Sequence, residues 1–184
     1  MVSLKEDISD HKILEEYRQN RDAGFSLLFD KYHKRLYFHI RRMVILHQDA
    51  DDALQNTFIK AWNNLDKFRN ESSVYTWLYR IASNEAIAMI KKRKKESGPS
   101  LDELGEIFAC SAEGDKWFDG DEAEKKLQNA ILKLPDKQKL VFNLRYYEEM
   151  GYEEMSRVLK TSVGALKASY HHAVKKIEEF LTGN

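Results

Sequence analysis

Ser162-Val163-Gly164-Ala165-Leu166-Lys167-Ala168-Ser169-Tyr170-His171-His172-Ala173-Val174-Lys175-Lys176-Ile177 carries apolar side chains at 163, 166, 170, 173 and 177. That three- and four-residue spacing is one face of an α-helix. Ser162, just ahead of it, is a residue type that caps helix N-termini. The other face shows Gly164, Ala165, Lys167, Ala168, His171, His172 and Lys175. A shorter stripe of Met155, Val158 and Leu159 precedes it, and Lys160-Thr161-Ser162 reads as a tight turn. Short helix, tight turn and longer amphipathic helix is the helix-turn-helix pattern. Small residues near the start of the second helix let its backbone approach a groove, and Lys with His supplies hydrogen-bond donors. Helical hairpins in other all-α proteins share this pattern, so DNA reading and plain packing both stand at this point. Metal binding by the paired histidines is not expected. Neighbouring helical side chains point about 100° apart, and Val174, Lys175 and Lys176 complete no ligand set.

Upstream, Pro135-Asp136 opens a helix with Leu140, Val141 and Leu144, and an earlier one carries Leu127, Ile131 and Leu134. In the N-terminal half, Asp22 is placed to cap a long helix with Phe25, Leu28, Phe29, Tyr32, Leu36, Ile40 and Met43 on one stripe. Asp49 is expected as the N-cap of the next helix, whose stripe is Leu54, Phe58, Ala61, Trp62 and Leu65. Phe68 to Ser73 reads as a polar loop. Ser72 or Ser73 then caps a helix with Val74, Trp77, Leu78, Ile81 and Ala88. It runs into Lys91-Lys92-Arg93-Lys94-Lys95, and lysines suit a helix C-terminus. Asn84 falls on the edge of that stripe, where a polar group either makes a buried hydrogen bond or faces a cleft. No stretch alternates as a strand does. The expected fold is all-α: two small helical domains joined by an acidic flexible linker, the second holding the helix-turn-helix. The boundaries read 1–95, 96–124 and 125–184.

Charge follows the same division. The formal net charge is zero, but residues 24–95 sum to +7, residues 96–124 to −9 and residues 125–184 to +4. Basic domains suit a polyanion partner. The 42% hydrophobic content supports a packed core. One cysteine, Cys110, excludes an internal disulfide and a multi-cysteine zinc site. The polar, acidic N-terminus is no signal peptide, and no apolar run reaches the roughly 20 residues of a membrane span. A cytoplasmic protein that is not inserted in a membrane is the expectation.

No Gly-rich phosphate loop, nucleophile elbow or Cys/His dyad is present. Asp49-Ala50-Asp51-Asp52 has acids but neither the Gly nor the distant Glu of a calcium loop. Neither an enzyme, nor a cofactor, nor a small-molecule substrate is expected. Lys/Arg beside aromatic residues around 68–95 are what an unpaired nucleic-acid strand needs, cations for phosphate and rings for bases. Trp77, on its helix stripe, reads as core.

Three stretches together resemble a bacterial RNA polymerase sigma factor of the extracytoplasmic-function (ECF) group, over about Phe25 to Ile177. Asp49 to Trp62 looks like the family's polymerase-clamp-binding helix. Phe68 to Asn84 looks like the segment that opens and reads the −10 promoter element. Tyr152-Glu153-Glu154-Met155 with Ser162 to Lys167 looks like the unit that reads the −35 element. The resemblance implies that Asp52, Gln55 and Asn56 face the clamp helices of the β′ subunit. It implies that Phe68, Asn70, Glu71, Ser72, Ser73, Asn84, Lys91, Lys92 and Arg93 serve the −10 DNA. A base extruded there costs a few kcal/mol, which a fitted pocket recovers. It implies that Arg145, Gly164, Ala165, Lys167, Ala168, His171 and His172 meet the −35 groove. The implied partners are core RNA polymerase (β′ clamp and β subunit), promoter DNA and an anti-sigma factor. Asn56, Ala88, Ala165, Ser169 and His172 depart from residues frequent in the family, which leaves the promoter sequence open. The alternative is a stand-alone helix-turn-helix regulator that binds duplex operators without polymerase.

Overall fold

Gly24 decides how the chain begins to fold. A Cβ there would meet the backbone nitrogen of Tyr17 at 2.2 Å and its Cα at 2.3 Å. Only a residue without a side chain lets two helices approach so closely. These are α1 (Asp10–Gln19) and α2 (Arg21–Arg41), which share one joining residue. Asn20 is extended at φ −142°, ends α1, and caps α2 by accepting from the Ala23 N–H at 3.1 Å. The expected cap, Asp22, lies two residues too far in and instead places its charge in the first turn, near the helix N-terminus. Helix α1 had no expectation attached. Ile13 and Tyr17 are its buried residues, and Asp10 accepts from Lys31 at 2.5 Å and from the Tyr32 hydroxyl at 2.8 Å.

The computed structural model describes residues 8–44, 46–68, 72–97 and 122–183. In the first domain α3 (His47–Asn64), a 3-10 turn at Leu65–Lys67 and α4 (Val74–Ser97) follow α2. In the second, α5 (Glu122–Leu132), α6 (Asp136–Tyr146), α7 (Tyr152–Leu159) and α8 (Val163–Thr182) follow in order. No described residue is in a strand. The all-α, two-domain expectation agrees with this. The stretch expected as the linker falls, for 98–121, outside the described residues, as does Cys110.

Two local expectations need correction. Asp49 does not cap α3, which starts at His47 with Leu46 ahead of it. Asp49 is buried within the first turn and takes a two-pronged ion pair from Arg93, at 2.6 and 2.7 Å. Burying a carboxylate requires such a partner. In α4 the buried face is Val74, Trp77, Leu78, Ala82 and Ala86, with Ser83 and Glu85, while Ala88 is exposed. Ser83 is buried because its hydroxyl meets His39 Nε2 at 3.0 Å. His39 is fully buried; burial, and then Arg42, push its pKa down to about 3.

The second domain has its own small core of Ala130, Ile131, Leu134, Phe142, Ala173 and Ile177. The larger core crosses between domains. Leu140, Leu144, Met150, Met155 and Leu166 belong to the same contiguous cluster as Leu36, Leu78 and Ala86.

Candidate nucleic-acid interface

Helix α3 turns Ala50, Ala53, Thr57, Phe58 and Ala61 inward. The 3.6-residue repeat then forces Asp52, Gln55 and Asn56 outward, and all three are exposed. Beside them lies an apolar hollow of about 520 Å³, lined among others by Phe25, Phe29, Leu54, Ile59 and Trp62. Phe29 and Ile59 are 41% and 50% exposed, unusual for large apolar side chains. Phe29, expected on the core stripe of α2, instead stands at the edge of this hollow.

At the start of α4, Ser73 is the capping serine: its hydroxyl accepts from the Thr76 N–H at 3.0 Å. Phe68 rests against Trp77 with ring centroids 5.3 Å apart. Trp77 is buried, as expected. These rings help line a hollow of about 350 Å³ with Lys67, Ser72, Thr76, Arg80 and Arg157. The three cations make it attractive to an anion, and Phe68 is half-buried at its edge. Asn70 and Glu71 lie outside the described residues. Asn84, Lys91 and Lys92 are exposed along α4. Arg93 differs from them, because its guanidinium is held by Asp49. Lys67, Arg80 and Arg157 were not singled out in the sequence; Arg157 comes from the other domain, and no local spacing announces it.

In the second domain Lys160 takes the left-handed conformation, φ 50°, that ends α7 and makes the tight turn. Ser162 then caps α8 by accepting from the Ala165 N–H at 3.3 Å. Leu166, Ala173 and Ile177 are buried, and Val163 and Tyr170 are half-buried. Gly164, Ala165, Lys167, Ala168, His171 and His172 are exposed. The two imidazoles diverge, with ring centroids 6.0 Å apart. Among the described residues no group of three or more His, Cys, Asp or Glu is gathered to hold a metal ion. Arg145 is tied down locally: it donates to the Met150 carbonyl at 3.2 Å and lies 5.2 Å from the Tyr152 ring. The Lys167 ammonium lies 5.8 Å from the same ring.

These surfaces do not all face solvent in one direction. Arg80, Asn84 and Ile87 of α4 share a cleft of about 700 Å³ with Ala165 and Ser169 of α8. Lys139 is buried in α6, and burial pushes its pKa down to about 8, with Asp136 opposing and Lys94 of α4 assisting.

Comparison with known proteins bears on the fold and the family. The sigma-70 region 2 family matches residues 28–96, and sigma-70 region 4 matches residues 124–177. The RNA polymerase sigma-H factor of Pseudomonas aeruginosa is 30% identical over 94% of this chain and 93% of its own. The ECF RNA polymerase sigma-E factor of Haemophilus influenzae is 29% identical over 95% of this chain and 96% of its own. The ECF sigma factor SigW of Bacillus subtilis is 29% identical over 92% and 95%. Among solved structures, CnrH in complex with the cytosolic domain of CnrY superposes with a TM-score of 0.70, covering 95% of this chain and 98% of that one at 22% identity. The Bartonella quintana sigma factor RpoE, in complex with the anti-sigma factor NepR, gives 0.66 over 86% and 96% at 20% identity. Among the described residues no helix is long and apolar enough to cross a membrane.

Proposed function

The chain belongs to the ECF sigma factors of RNA polymerase, and from that premise we propose how its surfaces divide the work of promoter recognition. Asp52, Gln55 and Asn56 dock on the β′ clamp. The hollow at the start of α4 holds a base extruded from the −10 element, with Phe68, Ser72 and Ser73 at its edge, and Asn70 and Glu71 serve the same element. Asn84, Lys91 and Lys92 follow the same DNA. Gly164, Ala165, Lys167, Ala168, His171 and His172 enter the −35 major groove. Arg145 supports that helix through Tyr152 and meets phosphate at its edge. Residues 1–95 and 125–184 act as the two promoter-reading domains, with 96–124 between them. The protein acts in the cytoplasm, performs no catalysis of its own and is controlled by an anti-sigma factor.

The observation that carries this reading is the outward polar face of α3 beside two separate cation-bearing surfaces. A factor that binds both a protein and DNA needs all three. Extrusion of a base costs a few kcal/mol, and a pocket built of rings and cations returns it only when the right base enters. Run-off transcription with core polymerase and a promoter selected by the holoenzyme tests the reading. The expected outcome is a specific transcript that disappears with Asp52→Ala/Gln55→Ala. Unchanged transcription by that folded double variant would remove the clamp assignment.

A further inference from the structure

We propose that the hollow between α1 and the 3-10 turn is a second base site, which takes the unpaired nucleotide next along the strand from the one held at the start of α4 and favours a base with an exocyclic amino group. The proposal rests on the −10 assignment given above. The hollow measures about 410 Å³, and the one at the start of α4 about 350 Å³. Both volumes are those of sites that hold a small molecule. Phe68 helps line each of them, so a strand with a base in one hollow passes directly to the other. Phe68 is half-buried, which leaves part of its ring open to a base. The rest of the wall includes Leu14, Tyr17 and Arg18 on one side and Leu65 and Asp66 on the other. All of these belong to the first domain, so the site is whole without the second. Helix α1 lies ahead of residues 28–96, where the region 2 family matches.

The polar groups of the hollow are already arranged. Asp66 accepts from the Tyr17 hydroxyl at 3.0 Å and lies 3.1 Å from the Arg21 guanidinium. Arg21 donates in turn to the Trp62 carbonyl at 3.2 Å and stands 4.6 Å from the Trp62 ring. The charges of Arg21 and Asp66 therefore cancel in place. Arg18 decides the sign of the hollow: it is exposed in the last turn of α1 and makes no ion pair among the described residues. A guanidinium so placed suits a backbone phosphate.

Asp66 supplies the base preference. An ionised carboxylate has about four lone-pair sites, and Tyr17 and Arg21 engage two of them. An exocyclic amino group of cytosine, adenine or guanine donates to what remains, as cytosine does to acids in duplex readout. Thymine presents carbonyl oxygens instead, and two acceptors repel. The arrangement also gives α1 a task. Gly24 lets it sit hard against α2, which fixes Tyr17 beside Asp66 and sets Arg18 at the rim.

Holoenzyme binding to a fork DNA tests the proposal. The fork is built from a promoter selected by the holoenzyme, with the −10 non-template strand unpaired, and each unpaired base is replaced in turn by an abasic sugar. Wild type should lose about tenfold in affinity at each of two adjacent positions. Arg80→Ala, in the first hollow, should reduce the loss at one of them. Asp66→Asn should reduce the loss at the other and level the preference there for cytosine or adenine over thymine. Arg18→Ala should weaken binding about fivefold, lower the salt slope by roughly one unit, and leave the melting midpoint of the free chain unchanged. It carries the test if Asp66→Asn lowers that midpoint. A single sensitive position that answers only to Arg80→Ala would overturn the second site and leave the first. A single one that answers only to Asp66→Asn would uphold this site and strike the assignment of the first hollow. Weaker binding by Arg18→Ala with one sensitive position would reduce the hollow to a phosphate contact and overturn the base site. Two sensitive positions indifferent to Asp66→Asn and Arg18→Ala would overturn it as well.

Discussion

The outward face of α3 and the outward face of α8 are built alike and placed differently. Both belong to amphipathic helices whose apolar stripe is locked in a core. The α3 face, with Asp52, Gln55, Asn56 and the apolar hollow beside it, meets only solvent in the free chain. The start of the α8 face shares a cleft with α4, the helix assigned to the −10 DNA. The difference teaches that helices of one design need not be equally accessible. Under the assignment proposed above, the surface for polymerase is fully open in the free chain, while part of the surface for DNA is shared with α4.

The largest expected effect breaks the frame that carries both faces. Gly24→Ala drives a Cβ into the Tyr17 backbone, which cannot rotate aside. A thermal or denaturant melt should show a loss of roughly 1–3 kcal/mol. An unchanged midpoint would mean that α1 is not needed at that distance. Next comes the open face itself. Asp52→Ala/Gln55→Ala should weaken core binding by roughly 2 kcal/mol, the scale of an interface hot spot. Titration against core polymerase measures this, and the melt should stay within about 0.5 kcal/mol of wild type because both residues are exposed.

The DNA faces give smaller, sharper tests. Arg93→Ala should lower stability by about 1–2 kcal/mol, because it strands the buried Asp49. Lys91→Ala/Lys92→Ala should leave stability alone and lower the salt slope of holoenzyme–promoter binding by roughly 1–2 units. If Arg93→Ala changes the slope and not the melt, its pairing with Asp49 is not its main role. In the first domain's core, the His39 ring stands 5.0 Å from that of Tyr79. Its folded pKa, about 3, lies below the ordinary 6.5, so the unfolded chain takes up the proton first. The His39 contribution is therefore complete above about pH 6.5 and is lost as the pH falls from there toward 3. His39→Asn should flatten that part of the stability profile, and an unaltered slope would contradict the assignment.

What could be read in advance divides along the same line. The stripe from Val163 to Ile177, the turn at 160–162 and the Ser162 cap are local patterns, and a helical period carries them. Helix α1 carries too short an apolar pattern to read: Ile13 and Tyr17 are its only buried residues, Leu14 is half-buried and the rest is charged or polar. Asp49 was misplaced because a carboxylate ahead of an apolar stripe looks the same whether it caps the helix or awaits Arg93, 44 positions away. On α4 the buried face begins with Val74, Trp77 and Leu78 but continues through the small residues Ala82, Ser83 and Ala86, which a search for large apolar side chains overlooks. The contact between the domains has no local signature. Arg42 and Glu148 are 106 positions apart, and nothing in either neighbourhood points to the other.

The most direct test of the proposed division of labour compares promoter duplex affinity for the free chain and for the chain bound to core polymerase, at one salt concentration. Two promoter-reading domains held at a fixed spacing by the core predict at least about 100-fold tighter binding in the holoenzyme. Equal affinity in the two states would contradict it.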